Sequence, residues 1–404
     1  MTKSLPLLLV ISLLTCCVEV DISVPSFPDI SDYFNISDGL TQMTIAMNFF
    51  GFCLSSIFYG PLSDSFGRRK VMIIGNAIMM VGACGCAFAN NIEFLLFSRL
   101  IQGLGAGTSV VVAFAMVADI YSAEQSAKLV GTMNSMITAF MSAAPIAGSV
   151  INKSLGWRWN YTTIAFISVV SWIMLYYWLP ETKHDVEKFE PKKIAKDYKQ
   201  LLFSKKFFYA SVTPSIMFSG WMSFVACGSF LYMETYKLPI MYYALHQGAI
   251  IGVFSITSLY CGQINSLIGM KNSVIYGTIF ILSGSVLLLT VGILFDNAPY
   301  LTSLAMIIFG IGASVTYPVI FSKSLDLFPD IKGTASSAIM ALRSLLCAAF
   351  IALSSYLYSG NLITVAAMVL LAGVLTSLCT TPTVFKDSIL VTDLMRVYQY
   401  GFGN

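Results

Sequence analysis

Apolar runs of about 20 residues alternate with short polar turns along almost the whole chain. A helix needs about 20 apolar residues to cross the hydrocarbon core of a bilayer. The runs therefore predict twelve crossing helices, at about 4–25, 41–62, 71–90, 93–118, 127–150, 159–180, 207–232, 244–267, 271–294, 299–322, 332–358 and 361–384. The one long polar stretch, 181–206, carries eight lysines and separates two sets of six. The expected fold is an all-α membrane protein of twelve transmembrane helices in two pseudo-symmetric halves. Residues 1–180 would form the first half, 181–206 a cytoplasmic linker, 207–384 the second half and 385–404 a cytoplasmic tail. The apolar run at the start continues past Leu13-Leu14-Thr15-Cys16, and eleven spans follow it. It is read as a first span rather than a cleaved leader. Pro25, Pro28 and the acids Asp29, Asp32 and Asp38 then predict a loop free of cations.

Charge orients these spans. With the N-terminus inside, 18 of the 23 Lys and Arg residues fall in cytoplasmic segments. Lys153, Arg158 and Lys237 fall outside, and Arg99 and Arg343 lie within spans. Positive loops are retained on the cytoplasmic side, so both termini are expected there. An internal repeat supports the two halves. Gly262 and Gly269, between spans 8 and 9, have the same spacing as Gly60 and Gly67, between spans 2 and 3, displaced by 202 residues.

Composition narrows the function classes. The chain is 57% hydrophobic and only 11% charged, with mean hydropathy +0.78; an ordinary soluble domain is about 25% charged. No basic, aromatic-studded surface suggests nucleic acid. The nine cysteines fall almost entirely within apolar runs without a metal-ligand spacing, and read as small core residues. No nucleotide loop or nucleophile constellation suggests an enzyme, and no cofactor is expected beyond a proton gradient.

The turn Gly60-Pro61-Leu62-Ser63-Asp64-Ser65-Phe66-Gly67-Arg68-Arg69-Lys70 joins two apolar spans by a tight basic corner. Glycines permit the corner, and Asp64 is placed to hold it against the cations or a helix N-terminus. This stretch resembles motif A of the major facilitator superfamily, in which it helps to gate the cytoplasmic side. Arg99-Leu100-Ile101-Gln102-Gly103-Leu104-Gly105 is similar to that family's motif B, whose arginine is implicated in proton coupling. The run from Ala139 to Gly148, with Pro145, resembles the antiporter motif C with several glycines replaced. Val20-Asp21-Ile22-Ser23-Val24-Pro25 and Gly156-Trp157-Arg158-Trp159 resemble signatures of the drug:proton antiporter-1 group, in its bicyclomycin/chloramphenicol-resistance (Bcr/CflA) branch. The resemblance implies a monomeric carrier of a bacterial-type inner membrane.

Ionisable groups inside spans are costly and are functional candidates. Asp21 lies near the outer end of the first span, and Arg99 roughly 9 Å below the outer end of the fourth. They share a depth, so an acid paired with Arg99 is expected there. Glu19 and Asp21 point to different sides of their helix, leaving one acid to pair and one to face the cavity and carry a proton. Arg343 lies roughly 16 Å into the eleventh span, near the midplane, where transporter substrates bind. Its alternatives are a substrate anion or a protein partner. Asn48, Gln102, Asn134, Trp221, Tyr232, Tyr236, Tyr260 and Tyr317 are further candidates for lining the cavity. The expected function is proton-coupled export of small amphipathic compounds or drugs by alternating access. The alternative is a proton-coupled carrier of an organic anion or zwitterion anchored by Arg343.

Overall fold

The computed structural model describes residues 5–183, 189–328 and 331–381. These residues are helical almost throughout, with no strand among them. Twelve segments are long and apolar enough to cross a membrane. The first is composite: α1 (Leu5–Ser23), a 3-10 turn (Val24–Ser26) and α2 (Phe27–Phe34). The prolines expected to open a loop here instead each occupy the first turn of a new helical piece. A missing N–H costs nothing at that position, and Phe27 and Ile30 are fully buried. Then come α3 (Asp38–Phe66), α4 (Arg68–Ala87), α5 (Ile92–Ile120), α6 (Ala123–Leu155) and α7 (Arg158–Trp178).

The polar stretch expected as a plain linker contains a helix, α8 (Pro191–Phe203). Its apolar residues Ile194, Tyr198 and Leu201 recur at helical spacing. Leu201 packs with Phe207, Ala335 and Ile339 of the second half, while Tyr198 Oη donates to the Ile57 carbonyl of α3 at 2.9 Å. Burial pushes the Tyr198 hydroxyl up to about 12, so it stays a neutral donor at any ordinary pH. The linker thus touches both halves at one end of the molecule. The tail, 385–404, lies outside the described residues.

The second half begins with α9 (Lys205–Phe230), extended by a π-helical turn over Leu231–Thr235. It continues with α10 (Ile240–Leu259), the short α11 (Cys261–Ile268), α12 (Met270–Leu294), α13 (Pro299–Asp326), α14 (Lys332–Leu357) and α15 (Leu362–Thr381). The eighth span was expected to run to 267. It ends at Leu259 instead, because Tyr260 adopts φ −88°, ψ 0° and breaks the helix before α11. The internal repeat is visible in the backbone. Gly67 has φ 91°, ψ 145° and Gly269 has φ 82°, ψ 146°, and each immediately precedes a spanning helix. Only glycine takes that left-handed, extended geometry without strain.

Between the halves, α3 packs along α14 and α6 along α10. Near the α2 end, Phe230 meets both Phe27 and Tyr358 with ring centroids 6.3 Å apart. Near the opposite end, Gly60 sits directly against Ser337.

Candidate functional site

Arg99 is the largest fully buried side chain. Its Nη2 donates to Ser23 Oγ at 2.6 Å and its Nη1 to Gln102 Oε1 at 3.0 Å. The guanidinium lies over the Tyr161 ring, 4.9 Å from the centroid. Ser23 is oriented by donating in turn to the Val20 carbonyl. Tyr161 is held by Trp157, itself packed against Tyr33 and Phe34 of α2. The Gly-Trp-Arg-Trp stretch therefore builds an aromatic support that ends on Arg99. The expected ion pair is not formed: among the described residues neither Glu19 nor Asp21 pairs with Arg99. Neutral hydroxyl, amide and aromatic groups contact the guanidinium, and Glu19 stands within its electrostatic reach but outside ion-pair distance.

Glu19 joins this network indirectly. Asn48 Nδ2 donates to Glu19 Oε1 at 2.9 Å and approaches the Arg99 carbonyl at 3.4 Å. Gln102 also stands within reach of Glu19. The closeness of α3 and α5 that permits this depends on Gly103, where a Cβ would strike the Asn48 backbone. Asp21 is buried but makes no hydrogen bond or ion pair among the described residues. Across the gap it acts electrostatically on Tyr243 of α10, whose buried hydroxyl has no partner.

The turn after α3 is a charge cluster. Arg68 is buried and bonds Asp64 at 2.8 Å and Asp119 of α5 at 3.0 Å, while Lys183 reaches Asp64 at 2.9 Å. Arg69 donates to the Leu179 and Tyr176 carbonyls at the end of α7. Asp64 holds the corner against the cations; the N-terminus of α4 is capped by Glu181, which accepts from the Arg68 and Arg69 amides at 2.9 and 3.1 Å. A carboxylate suits the positive end of a helix. Asp119 and Glu181 were not anticipated, since each sits at a span end among polar residues where sequence gives no partner. On α6, Pro145 is buried within the helix and Gly148 lies against the Ile22 backbone of α1.

Arg343 of α14 is half-buried. Its Nη1 donates to Tyr317 Oη at 2.9 Å and its guanidinium lies 4.8 Å from the Phe218 ring centroid. Its Nε is buried without a partner. No carboxylate pairs with it among the described residues.

The remaining candidates divide. Tyr317 shares the Arg343 site, while Asn48 and Gln102 share the Arg99 site. Trp221 packs on Phe254 and Phe309 within the second half. Tyr232 and Tyr236 use their hydroxyls on Ser303 and Thr302 of α13, at 2.6 and 2.8 Å, and so tie α9 to α13. Asn134 and Tyr260 are exposed and join neither arginine site; Tyr260 caps α10 rather than lying inside a span.

The profile of the Major Facilitator Superfamily matches residues 9–351. The chain belongs to the major facilitator superfamily. A bicyclomycin resistance protein homolog of Haemophilus influenzae is 26% identical over 336 residues, covering 80% of this chain and 82% of that protein. Multidrug resistance protein D of Escherichia coli K12 is 24% identical, covering 96% of this chain and 98% of that protein. These relatives agree with the Bcr/CflA branch. A partially occluded inward-open structure of the E. coli xylose transporter XylE superposes with a TM-score of 0.70 at 15% identity, covering 96% and 98%; it shares the fold. As a major facilitator, the chain is a multi-pass membrane transporter and not an enzyme. The corner expected over 60–70 is confined to Gly67, since α3 stays helical through Gly60 and Pro61 to Phe66.

Proposed function

We propose that this transporter exports small amphipathic compounds in exchange for protons, as a monomer in a bacterial inner membrane with both termini cytoplasmic. The observation that carries this reading is the pair of buried carboxyls on α1. Glu19 is tied through Asn48 into the Arg99 network, whereas Asp21 has no hydrogen-bond or ion-pair partner among the described residues and lies within electrostatic reach of Tyr243 of the other half. A carboxyl without such a bond changes charge without breaking one. Asp21 is therefore the group to exchange its proton with the cavity, and Glu19 the group to pass the change to Arg99. Arg99 is bonded to Ser23 at the end of α1, so a change in its environment pulls on the helix whose continuation, α2, reaches Phe230. That is a route by which a proton arriving from outside loosens one closure and lets the halves rock around a central site. The Asp64–Arg68–Asp119 cluster lies within the first half and holds the α3–α4 corner rigid at the cytoplasmic end, where Gly60 of α3 meets Ser337 of α14. The resistance proteins among the relatives support export and an amphipathic cargo.

The test is substrate-induced proton flux in proteoliposomes holding a pH gradient, with lipophilic cations, neutral drugs and organic anions as trial substrates. Flux is expected in the wild type and lost in Asp21→Asn. Equal flux in the variant would remove Asp21 from the coupling step. Substrate movement without any proton movement would overturn the antiport reading as a whole.

A further inference from the structure

The Arg343 guanidinium has an unsatisfied edge. Among the described residues only Nη1 of its three nitrogens has a hydrogen-bond partner, the Tyr317 hydroxyl. Nε is buried and unpartnered, and Nη2 makes no hydrogen bond among the described residues. The N–H groups of Nε and Nη2 point in the same direction and form the two-pronged face that matches two oxygens of one carboxylate. A cation held near the middle of a membrane without an acid is costly. Neutral groups surround this one: the Phe218 ring, the Tyr317 hydroxyl and, within electrostatic reach, the Cys347 and Cys17 thiols.

The walls come from both halves. Phe49 of α3 meets Phe218 of α9 edge to face at 6.3 Å, and Phe321 stacks on Tyr317 with centroids 5.8 Å apart. Cys16 of α1 packs in one cluster with Phe321 and Met340. The unsatisfied edge therefore sits among aromatic rings where the halves meet, a position whose contacts must change when they rock.

We propose that the Nε–Nη2 edge of Arg343 is the recognition point of the transport cavity and that the cargo is an amphipathic organic carboxylate with an aromatic body. One positive charge calls for one negative charge. A phosphate monoester, with a charge of about −1.5 to −2, would leave an excess that no second cation near Arg343 meets among the described residues. The aromatic walls take the apolar body, and the hydroxyl proton of Tyr317, whose oxygen already accepts from Arg343, is free for a third contact. This inference rests on the central-cavity reading above and narrows the cargo; it does not depend on proton coupling.

The experiment is equilibrium binding to the full chain in nanodiscs, without a pH gradient, of three compounds with one aromatic body: naphthylacetate, naphthylacetamide and naphthylethylammonium. The acetate is expected to bind at least about tenfold more tightly than the amide, and the ammonium least. Arg343→Met should cost the acetate about 10–100-fold, the size of a desolvated charge-assisted contact, with a far smaller effect on the amide. Arg343→Lys, which keeps the charge but not the fork, should fall between. Equal binding of acetate and amide by the wild type overturns the proposal, as does full acetate affinity in Arg343→Met. If Arg343→Met does not fold, the wild-type ratio and Arg343→Lys decide it. An acetate preference without proton flux would sink the coupling reading and leave this one standing.

Discussion

The two membrane-buried arginines occupy opposite kinds of site. Arg99 is wholly enclosed, with both terminal nitrogens bonded, a ring beneath the guanidinium and a glutamate tied into the same network through an asparagine. Arg343 has one hydroxyl, one ring and an unsatisfied edge. The Nε of each is buried without a partner among the described residues; the difference lies in Nη2, which is bonded in Arg99 and unbonded in Arg343. Evolution of a stable fold alone would remove a cation of the second kind, because an apolar side chain of similar volume is usually at least as stable there. Under the proposal above, the second free nitrogen of Arg343 is kept for a ligand, whereas the more fully bonded Arg99 suits the architecture or the coupling machinery. The two are not repeat counterparts, since Arg99 is on the fourth span and Arg343 on the eleventh. The halves share a backbone plan, marked by Gly67 and Gly269, but have divided the chemistry.

The largest effect should come from Arg99→Ala. It removes the cation that bonds Ser23 and Gln102 and lies in electrostatic reach of Glu19, leaving a cavity in a fully buried site, and should cost on the order of 3 kcal/mol of stability. Thermal unfolding in detergent should show the loss as a clearly lowered Tm, and proton-coupled transport should be absent. An unchanged Tm would mean that the network is not what holds α1 to α5. Arg343→Met should do the reverse. With no carboxylate left unpaired, stability should stay level or rise by up to about 2 kcal/mol, while carboxylate binding falls. A Tm drop as large as that of Arg99→Ala would erase the distinction between the sites and make Arg343 a structural group.

Much of this was legible in the sequence, for identifiable reasons. The apolar runs and the Gly67 corner are strong local signals, since lipid forces every backbone group into a helix and forces cations to the ends. Three features escaped. The prolines at 25 and 28 continue the first span rather than ending it, because the chain reforms helix around each one. The linker helix α8 is too short and too basic to register as apolar, although its Ile194, Tyr198 and Leu201 lie on one face. Tyr260 breaks the eighth span two residues before Gly262, while the apolar run continues through Ile264, Leu267 and Ile268 and hides the break. At the sites, charge and depth brought out Glu19, Asp21, Arg99 and Arg343, but not which groups would meet them. Ser23 and Tyr161 became the partners of Arg99 because hydroxyl groups and rings carry no sign that sequence can match to a cation. Asn134 and Tyr260 seemed equivalent to Gln102 and Tyr317 by type and approximate depth; helix rotation and helix end separated them, and neither is read from a single chain.

The smallest predicted effect is the sharpest test of the contrast. Tyr317→Phe removes the only side-chain hydrogen bond of Arg343 among the described residues and keeps the ring that stacks on Phe321. The lost bond is worth about 1 kcal/mol, a shift in Tm that is small but measurable. If Tyr317 merely satisfies a structural arginine, that shift is the whole consequence, and carboxylate and amide ligands respond alike. If Tyr317 holds the guanidinium so that its other edge faces the cavity, the freed side chain swings among orientations and only one of them matches the ligand. Carboxylate affinity should then fall by roughly 5–10-fold, as expected for about 1 kcal/mol, with the amide little affected. The two ligands separate positioning from packing even though the stability change is the same in both readings.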